Sequence, residues 1–430
     1  MHRWKLNVFV VCFAQLLTLI GFSAYLPFMP YYIMDLGAGS YQEAAKWQAL
    51  FETGSAMAMM LASPVWGALA DRFGRKVMLM RATFFGALLA FGMSLVQTPV
   101  QLVIIRTLQG AFCGTVSAAM VMVATQTPDE HLGVALGLMQ TTQYIGHAIG
   151  PLVGGTLGDT LGYRSVFPVS AAMMAVALVM IALFTHERFE APQRAIKVAS
   201  ARASGLPLER LREVITRNAM IMLLALGAIR FAMAVESPII SLYVKSMAPD
   251  HPRIATLAGM VVSASSISTA LAALAIGRLA DRVGQKKVLV ACALGVAAFQ
   301  APQAFATSPI QLIVLRVFQG VFMGGTAPTA NALLARTTPS ERRGTIFGLS
   351  NSIQAGGRAL GPMVGAGVAN NLGMSNVFLV TASLLAVISG VVGFLVQLPK
   401  VAPFGQAAPS PAVSPGLAAT GQVAKTKMGG

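Results

Sequence analysis

Acid is scarce in this sequence for its size. Asp and Glu number 15 against 31 Lys and Arg in 430 residues, and all charged types together make 11%. A soluble domain carries about 25%, so most of this surface does not face water. Cysteine is nearly absent as well: Cys12, Cys113 and Cys292 lie in separate apolar stretches. That excludes a disulfide framework and offers no zinc-ligand spacing. No phosphate-binding loop is present, which excludes a nucleotide-driven pump. No metal-ligand cluster occurs, nor a nucleophile with a base at usable spacing. No enzyme, catalytic residue, cofactor or metal is therefore expected. The net charge of +16 and pI of about 10.3 would raise nucleic acid as a partner for a soluble protein. Here the positive residues sit in short loops between apolar runs, and no nucleic acid is expected.

What is abundant is apolar surface, 55% of residues with a mean hydropathy of +0.69. A chain of this length can hide that much only in lipid. Runs long enough to cross ~30 Å of hydrocarbon lie near 7–33, 47–69, 78–97, 100–124, 132–158 and 163–184. A second set lies near 219–243, 254–276, 287–306, 309–335, 344–370 and 374–397. Met1-His2-Arg3-Trp4-Lys5 runs directly into the first span without a small-residue cleavage site, so that span is read as a retained helix. The residues divide into a six-helix bundle, 1–184, a cytoplasmic linker, 185–218, a second six-helix bundle, 219–398, and a disordered cytoplasmic tail, 399–430. Of the 31 Lys and Arg, 23 fall in segments that share one side of the membrane; Lys46, Arg164, Lys245 and Arg253 fall on the other. The positive-inside rule makes both termini cytoplasmic.

The two sets repeat each other. Gly67-Ala-Leu-Ala-Asp71-Arg72-Phe-Gly74-Arg75-Lys76 returns as Gly277-Arg-Leu-Ala-Asp281-Arg282-Val-Gly284-Gln285-Lys286. Arg106-Thr-Leu-Gln109-Gly110 returns as Arg316-Val-Phe-Gln319-Gly320, and Gly150-Pro151 as Gly361-Pro362. The chain is a duplicated six-helix unit, an all-α membrane protein of twelve transmembrane helices in two pseudo-symmetric bundles.

These motifs carry a resemblance over about residues 5–398. Gly67 to Lys76 looks like the signature of the major facilitator superfamily between its second and third helices. Arg106 to Gly110 looks like its fourth-helix motif. Gly146-His147-Ala-Ile-Gly150-Pro151-Leu-Val-Gly154-Gly155 resembles the fifth-helix motif of its drug:proton antiporter branch, and Ser63-Pro64-Val65-Trp66-Gly67 is similar to wording in bacterial multidrug exporters. The resemblance implies a monomeric secondary transporter of the bacterial inner membrane, working by alternating access around a midplane site. Its partners would be a small-molecule substrate, protons and membrane lipids.

The residues themselves sharpen this. Gly67 and Gly74 are expected to permit a tight turn. Asp71 suits a helix N-terminus, while Arg72, Arg75 and Lys76 suit acidic partners or lipid phosphates. With Asp281 and Arg282 from the repeat, they form a candidate conformational latch. Gly146, Gly150, Gly154 and Gly158 beside Pro151, and Gly357, Gly361 and Gly365, make stripes along which a neighbouring backbone can approach. Smooth stripes of this kind would let two halves rock. Ionisable residues inside spans are costly and mark the pathway. Glu236, Glu52, Asp35 and Arg106 are the proton-coupling candidates; Arg230, His147 and Arg358 are the cavity candidates. Arg106 is offered as counter-ion to Glu52 and Arg230 to Glu236, whose helix Pro238 should break; six residues along one helix put Arg230 and Glu236 on different faces, which leaves a pairing across helices open. Residues 6–34 contain no acid, although several relatives place one in the first helix, so the proton carrier must lie elsewhere. Proton-coupled export of amphipathic drugs is the leading reading. A sugar or organic-acid carrier, or a non-transporting scaffold, is the alternative; intramembrane charges speak against the scaffold.

Overall fold

The computed structural model describes residues 3–187, 217–338 and 343–396, and among them the chain forms twelve helical spans. Span one is Arg3–Ala24 followed by Met29–Asp35; span two is Tyr41–Phe73; span three is Arg75–Met93. Span four is Pro99–Phe112 followed by Thr115–Gln126; span five is Asp129–Leu161; span six is Tyr163–Phe184. In the second bundle, span seven is Arg217–Val235 followed by Ile240–Met247, and span eight is Ile254–Val283. Span nine is Gln285–Gln300 with a 3-10 turn, Ala301–Phe305; span ten is Pro309–Arg336; span eleven is Arg343–Leu372; span twelve is Met374–Leu395. The tail and all but the ends of the expected linker lie outside the described residues.

Among the described residues, nine segments are both long and apolar enough to cross a membrane. Spans two, five and eleven, at 33, 33 and 30 residues, are the exceptions. At 1.5 Å per residue they reach about 45–50 Å, so length is not what they lack. Glycine, hydroxyl and ionised side chains dilute their hydropathy, and these helices face protein across the molecule. Span two packs on span eleven, and span five on span eight. Spans two and five also begin earlier and end later than hydropathy suggests, because their polar ends continue the helix beyond the apolar run.

Three spans are interrupted. Span one opens between Ala24 and Met29, at Pro27, and span seven between Val235 and Ile240, at Pro238. Proline removes a backbone donor and collides with the preceding turn. Span four, expected as one rod, breaks at Cys113 and Gly114, where Gly114 has φ +149°; its repeat partner in span ten runs through unbroken. The tight turn after span two also differs from expectation. Gly67 is helical, and a Cβ there would meet nothing within 4 Å. Only Gly74, at φ +94°, makes the turn, as Gly284 does in the repeat at φ +105°.

Burial shows which end is shut. One core cluster spans both bundles around the two proline breaks, joining Tyr25, Phe28, Tyr31 and Phe51 to Ile239, Leu242, Val261 and Phe378. Toward the opposite, basic face the bundles keep separate cores. Val8, Leu79, Met122 and Ile181 belong to one; Leu223, Leu289, Leu333 and Leu385 belong to the other. The molecule is closed where the cores merge and parted where they do not.

Candidate functional site

Between the bundles lies a cavity of about 340 Å³. The first bundle contributes Ser23, Leu26, Tyr144 and His147; the second contributes Arg230, Ser265, Thr269 and Met323. His147 Nδ1 stands 2.9 Å from Ser23 Oγ. Arg230 donates through Nε to Gln354 Oε1 at 3.1 Å. Arg358 is close enough for its charge to act on both His147 and Arg230. Of the three cavity candidates, His147 and Arg230 line this space, whereas Arg358 is exposed and outside the lining; no Asp or Glu lines it among the described residues.

The acids sit elsewhere, and the expected pairing of Glu236 with Arg230 is corrected. Glu236 lies in the proline break of span seven, and its carboxylate takes a two-pronged grip from Arg316, Nη1 to Oε1 at 2.9 Å and Nη2 to Oε2 at 3.0 Å. Arg230 lies in the preceding helix of the same span, and its Nε donates to Gln354 instead. Gln300 donates to Glu236, Gln319 donates to Gln300, and Gln303 donates to Gln319 at 2.9 Å. Glu236, Arg316 and the three glutamines are each no more than 5% exposed, so the pair is sealed from the cavity. A buried carboxylate persists when it is paired and hydrogen-bonded, as both oxygens of Glu236 are, while Arg316 Nε and Gln303 Oε1 in the same cluster find no partner among the described residues.

The first bundle carries the counterpart frame with different chemistry. Arg106 donates to Tyr25 Oη at 2.7 Å and to Gln109 Oε1 at 2.5 Å. Tyr25 occupies the repeat position of Glu236, as Arg106 and Gln109 occupy those of Arg316 and Gln319. Arg106 does not clasp Glu52; only its charge reaches that carboxyl. Glu52 instead accepts from Gln48 at 2.7 Å and, across the bundles, from Ser237 at 2.8 Å. Asp35 is separate from all of these. It is exposed at the closed face.

The glycine stripes face inward within each bundle, which corrects their expected role as rocking seams. A Cβ on Gly154 would stand 1.7 Å from the Ala24 carbonyl oxygen, and one on Gly150 would lie 2.5 Å from Ser23 Cβ. Gly146 meets Leu19, while Gly158 meets the ring of Tyr163. Gly357, Gly361 and Gly365 do the same against span seven, touching Gly227, Ala234 and Val235. The seam between bundles uses residues one step round the helix: Gly155 against Ala255, and Gly259 against Pro151.

In the latch region, the side chain of Asp71 lies outside the described residues. Arg72, Asp281 and Arg282 are exposed, and Asp281 accepts from Gln285 at 3.4 Å. The carboxylate at a helix N-terminus here is Glu187, which accepts from the amides of Arg75 and Lys76 at 2.8 Å each. Lys76 Nζ ties the same place to Ala182 and Thr185 carbonyls. Sequence reading missed Glu187, Tyr25 and the three glutamines. The repeat register could have found Tyr25 and Gln319, but nothing in the sequence marks Glu187.

The chain matches the sequence profile of the Major Facilitator Superfamily twice, over residues 11–250 and 239–427. It is 33% identical over 382 residues to "Multidrug resistance protein MdtG" of Enterobacter lignolyticus, covering 88% of this chain and 90% of that one. The MdtG of Klebsiella pneumoniae is also 33% identical, over 385 residues, covering 89% and 92%. In fold it is similar to the crystal structure of the nucleoside transporter NupG, with a TM-score of 0.73, 16% identity, and coverage of 90% of this chain and 98% of that one. Profile, relatives and architecture agree: this multi-pass inner-membrane protein belongs to the Major Facilitator Superfamily.

Proposed function

We propose that the chain is a proton-coupled exporter of amphipathic drugs or related small molecules, working by alternating access between residues 1–184 and 219–398. The observation that carries this reading is the division of labour between two sites. A cavity between the bundles is parted toward the basic face, and a sealed Glu236–Arg316 pair stands beside it. The charge split puts the basic face, both termini, the 185–218 linker and the tail in the cytoplasm, so this conformation receives substrate from inside. Glu236 is the proton carrier, Arg316 its counter-ion, and Glu52 a second acid at the bundle interface. Arg230, His147 and Arg358 hold substrate. Their positive character, with no acid in the described lining, favours neutral and anionic compounds over cations. The turn at Gly74 and Glu187 serves as the cytoplasmic latch.

The relatives' printed name, multidrug resistance, supports drugs as the substrate class. Transport into everted vesicles under an imposed ΔpH, with cationic, neutral and anionic amphipaths, tests the reading. ΔpH-driven uptake of neutral or anionic compounds is expected. No ΔpH-dependent uptake of any compound would overturn it, and uptake limited to a sugar would favour the carrier alternative.

A further inference from the structure

One acid at the closed face belongs to none of these constellations. Asp159 stands in the last turn of span five, and its carboxylate crosses to the other bundle. One oxygen accepts from the Ala255 amide at 3.1 Å. The other accepts from the Thr256 amide at 2.7 Å and the Thr256 hydroxyl at 2.6 Å. These are the second and third residues of span eight, whose N-cap residue Arg253 supplies no side-chain cap. The first amides of a helix have no partner within it and carry the positive end of its dipole. Here their partner comes from the opposite half of the molecule.

The surroundings make this contact sensitive to separation. One turn below Asp159, a Cβ on Gly155 would stand 2.5 Å from the Ala255 carbonyl oxygen, and one on Gly259 would stand 2.3 Å from that of Pro151. The seam is backbone on backbone, so neither surface can slide far without drawing the carboxylate off the amides. Tyr31 and Tyr163 lie near enough to feel its charge. The fold itself does not demand an acid at this place. The repeat position of Asp159 is Asn370, and span two, the repeat of span eight, caps itself with Ser40, which accepts from the Glu43 amide.

We propose that Asp159 is a positioning residue of the transport cycle: by capping span eight across the seam it holds the closed face shut, and it must release for that face to open. It touches neither the cavity nor the Glu236 pair, so it sets how often the face opens and not what is carried. The proposal rests on alternating access, and its test reads the gate without requiring transport.

In a chain lacking Cys12, Cys113 and Cys292, a reporter cysteine is placed in the cavity by Ser266→Cys and labelled in intact cells with a membrane-impermeant maleimide. Asp159→Asn keeps the shape but loses the charge and one accepting oxygen. Labelling should accelerate about tenfold, the effect of losing one charge-assisted hydrogen bond. Thr256→Val, which removes only the hydroxyl contact, should accelerate it less. In the chain with its native cysteines, Asp159→Asn should change the maximal transport rate while preserving the ratio of KM values for two substrates. Unchanged labelling with normal insertion would overturn the proposal. If Asp159→Asn does not accumulate, Thr256→Val decides: faster labelling than the parent supports the clamp, and equal labelling refutes it. Faster labelling in a chain that transports nothing would sink the exporter reading and leave the clamp standing.

Discussion

Removing Arg316 should cost this protein both stability and coupling, and the size of the first loss can be worked out. Arg316→Gln deletes two charge-assisted bonds, at 2.9 and 3.0 Å, from a carboxylate that is 5% exposed. Breaking a buried pair from one side costs ~3–5 kcal/mol, because the other charge is left uncompensated. The expected loss is therefore about 3–5 kcal/mol. Glu236→Gln with Arg316→Gln removes the stranded charge and should recover most of it, within ~1 kcal/mol of the parent. Thermal unfolding in detergent from pH 5 to 8 measures both, with Arg230→Gln as a control that leaves the pair intact. In vesicles, Arg316→Gln and the double variant should both lose ΔpH-driven accumulation. A single variant as stable as the parent at pH 8, or a double variant no better than the single, would refute the reasoning.

Other expectations follow from the same geometry. Gly154→Ala sets a methyl 1.7 Å from the Ala24 carbonyl and should lower thermal stability in detergent by ~1–3 kcal/mol, whereas Gly133→Ala, with nothing within 4 Å, should not. Glu187→Gln weakens two bonds to the amides of Arg75 and Lys76 and should slow transport with normal insertion. Full activity would remove Glu187 from the latch. Arg230→Gln and Arg358→Gln should raise KM for anionic compounds more than for neutral ones in vesicle uptake. A cysteine at Ala199 should resist impermeant thiol reagents in intact cells, and rapid labelling would reverse the assigned orientation.

Much of this architecture was legible because lipid leaves few options for a backbone. Apolar runs, the charge split and the repeat at Gly67, Arg106 and Gly150 were enough for twelve spans in two bundles. The Pro238 break followed from chemistry that acts within one turn. What could not be read was which side chains meet across helices. Glu236 and Arg316 lie 80 residues apart, and only packing chooses Arg316 over the sequence-near Arg230. The glycine stripes were visible as periodic positions, but periodicity names a face and not its neighbour, so their burial against spans one and seven was hidden. Cys113-Gly114 breaks a helix although its repeat, Met323-Gly324, does not; glycine permits a break, and tertiary contacts decide whether one forms.

The matched frames around Tyr25 and Glu236 have an electrical consequence. A phenol stays neutral across the working pH range while a carboxyl can gain or lose charge. Where Glu236 alone carries the proton, the charge of the second bundle's frame changes during a cycle while that of the Tyr25 frame stays fixed, even though the two backbones are near copies. Membrane potential acts on charge, at about 2.3 kcal/mol per elementary charge per 100 mV. The pull of voltage on the second bundle would then differ between the two protonation states, so that the field biases the rocking directly instead of merely adding to the proton gradient. Exchanging the two residues, Tyr25→Glu with Glu236→Tyr, would move that handle to the first bundle.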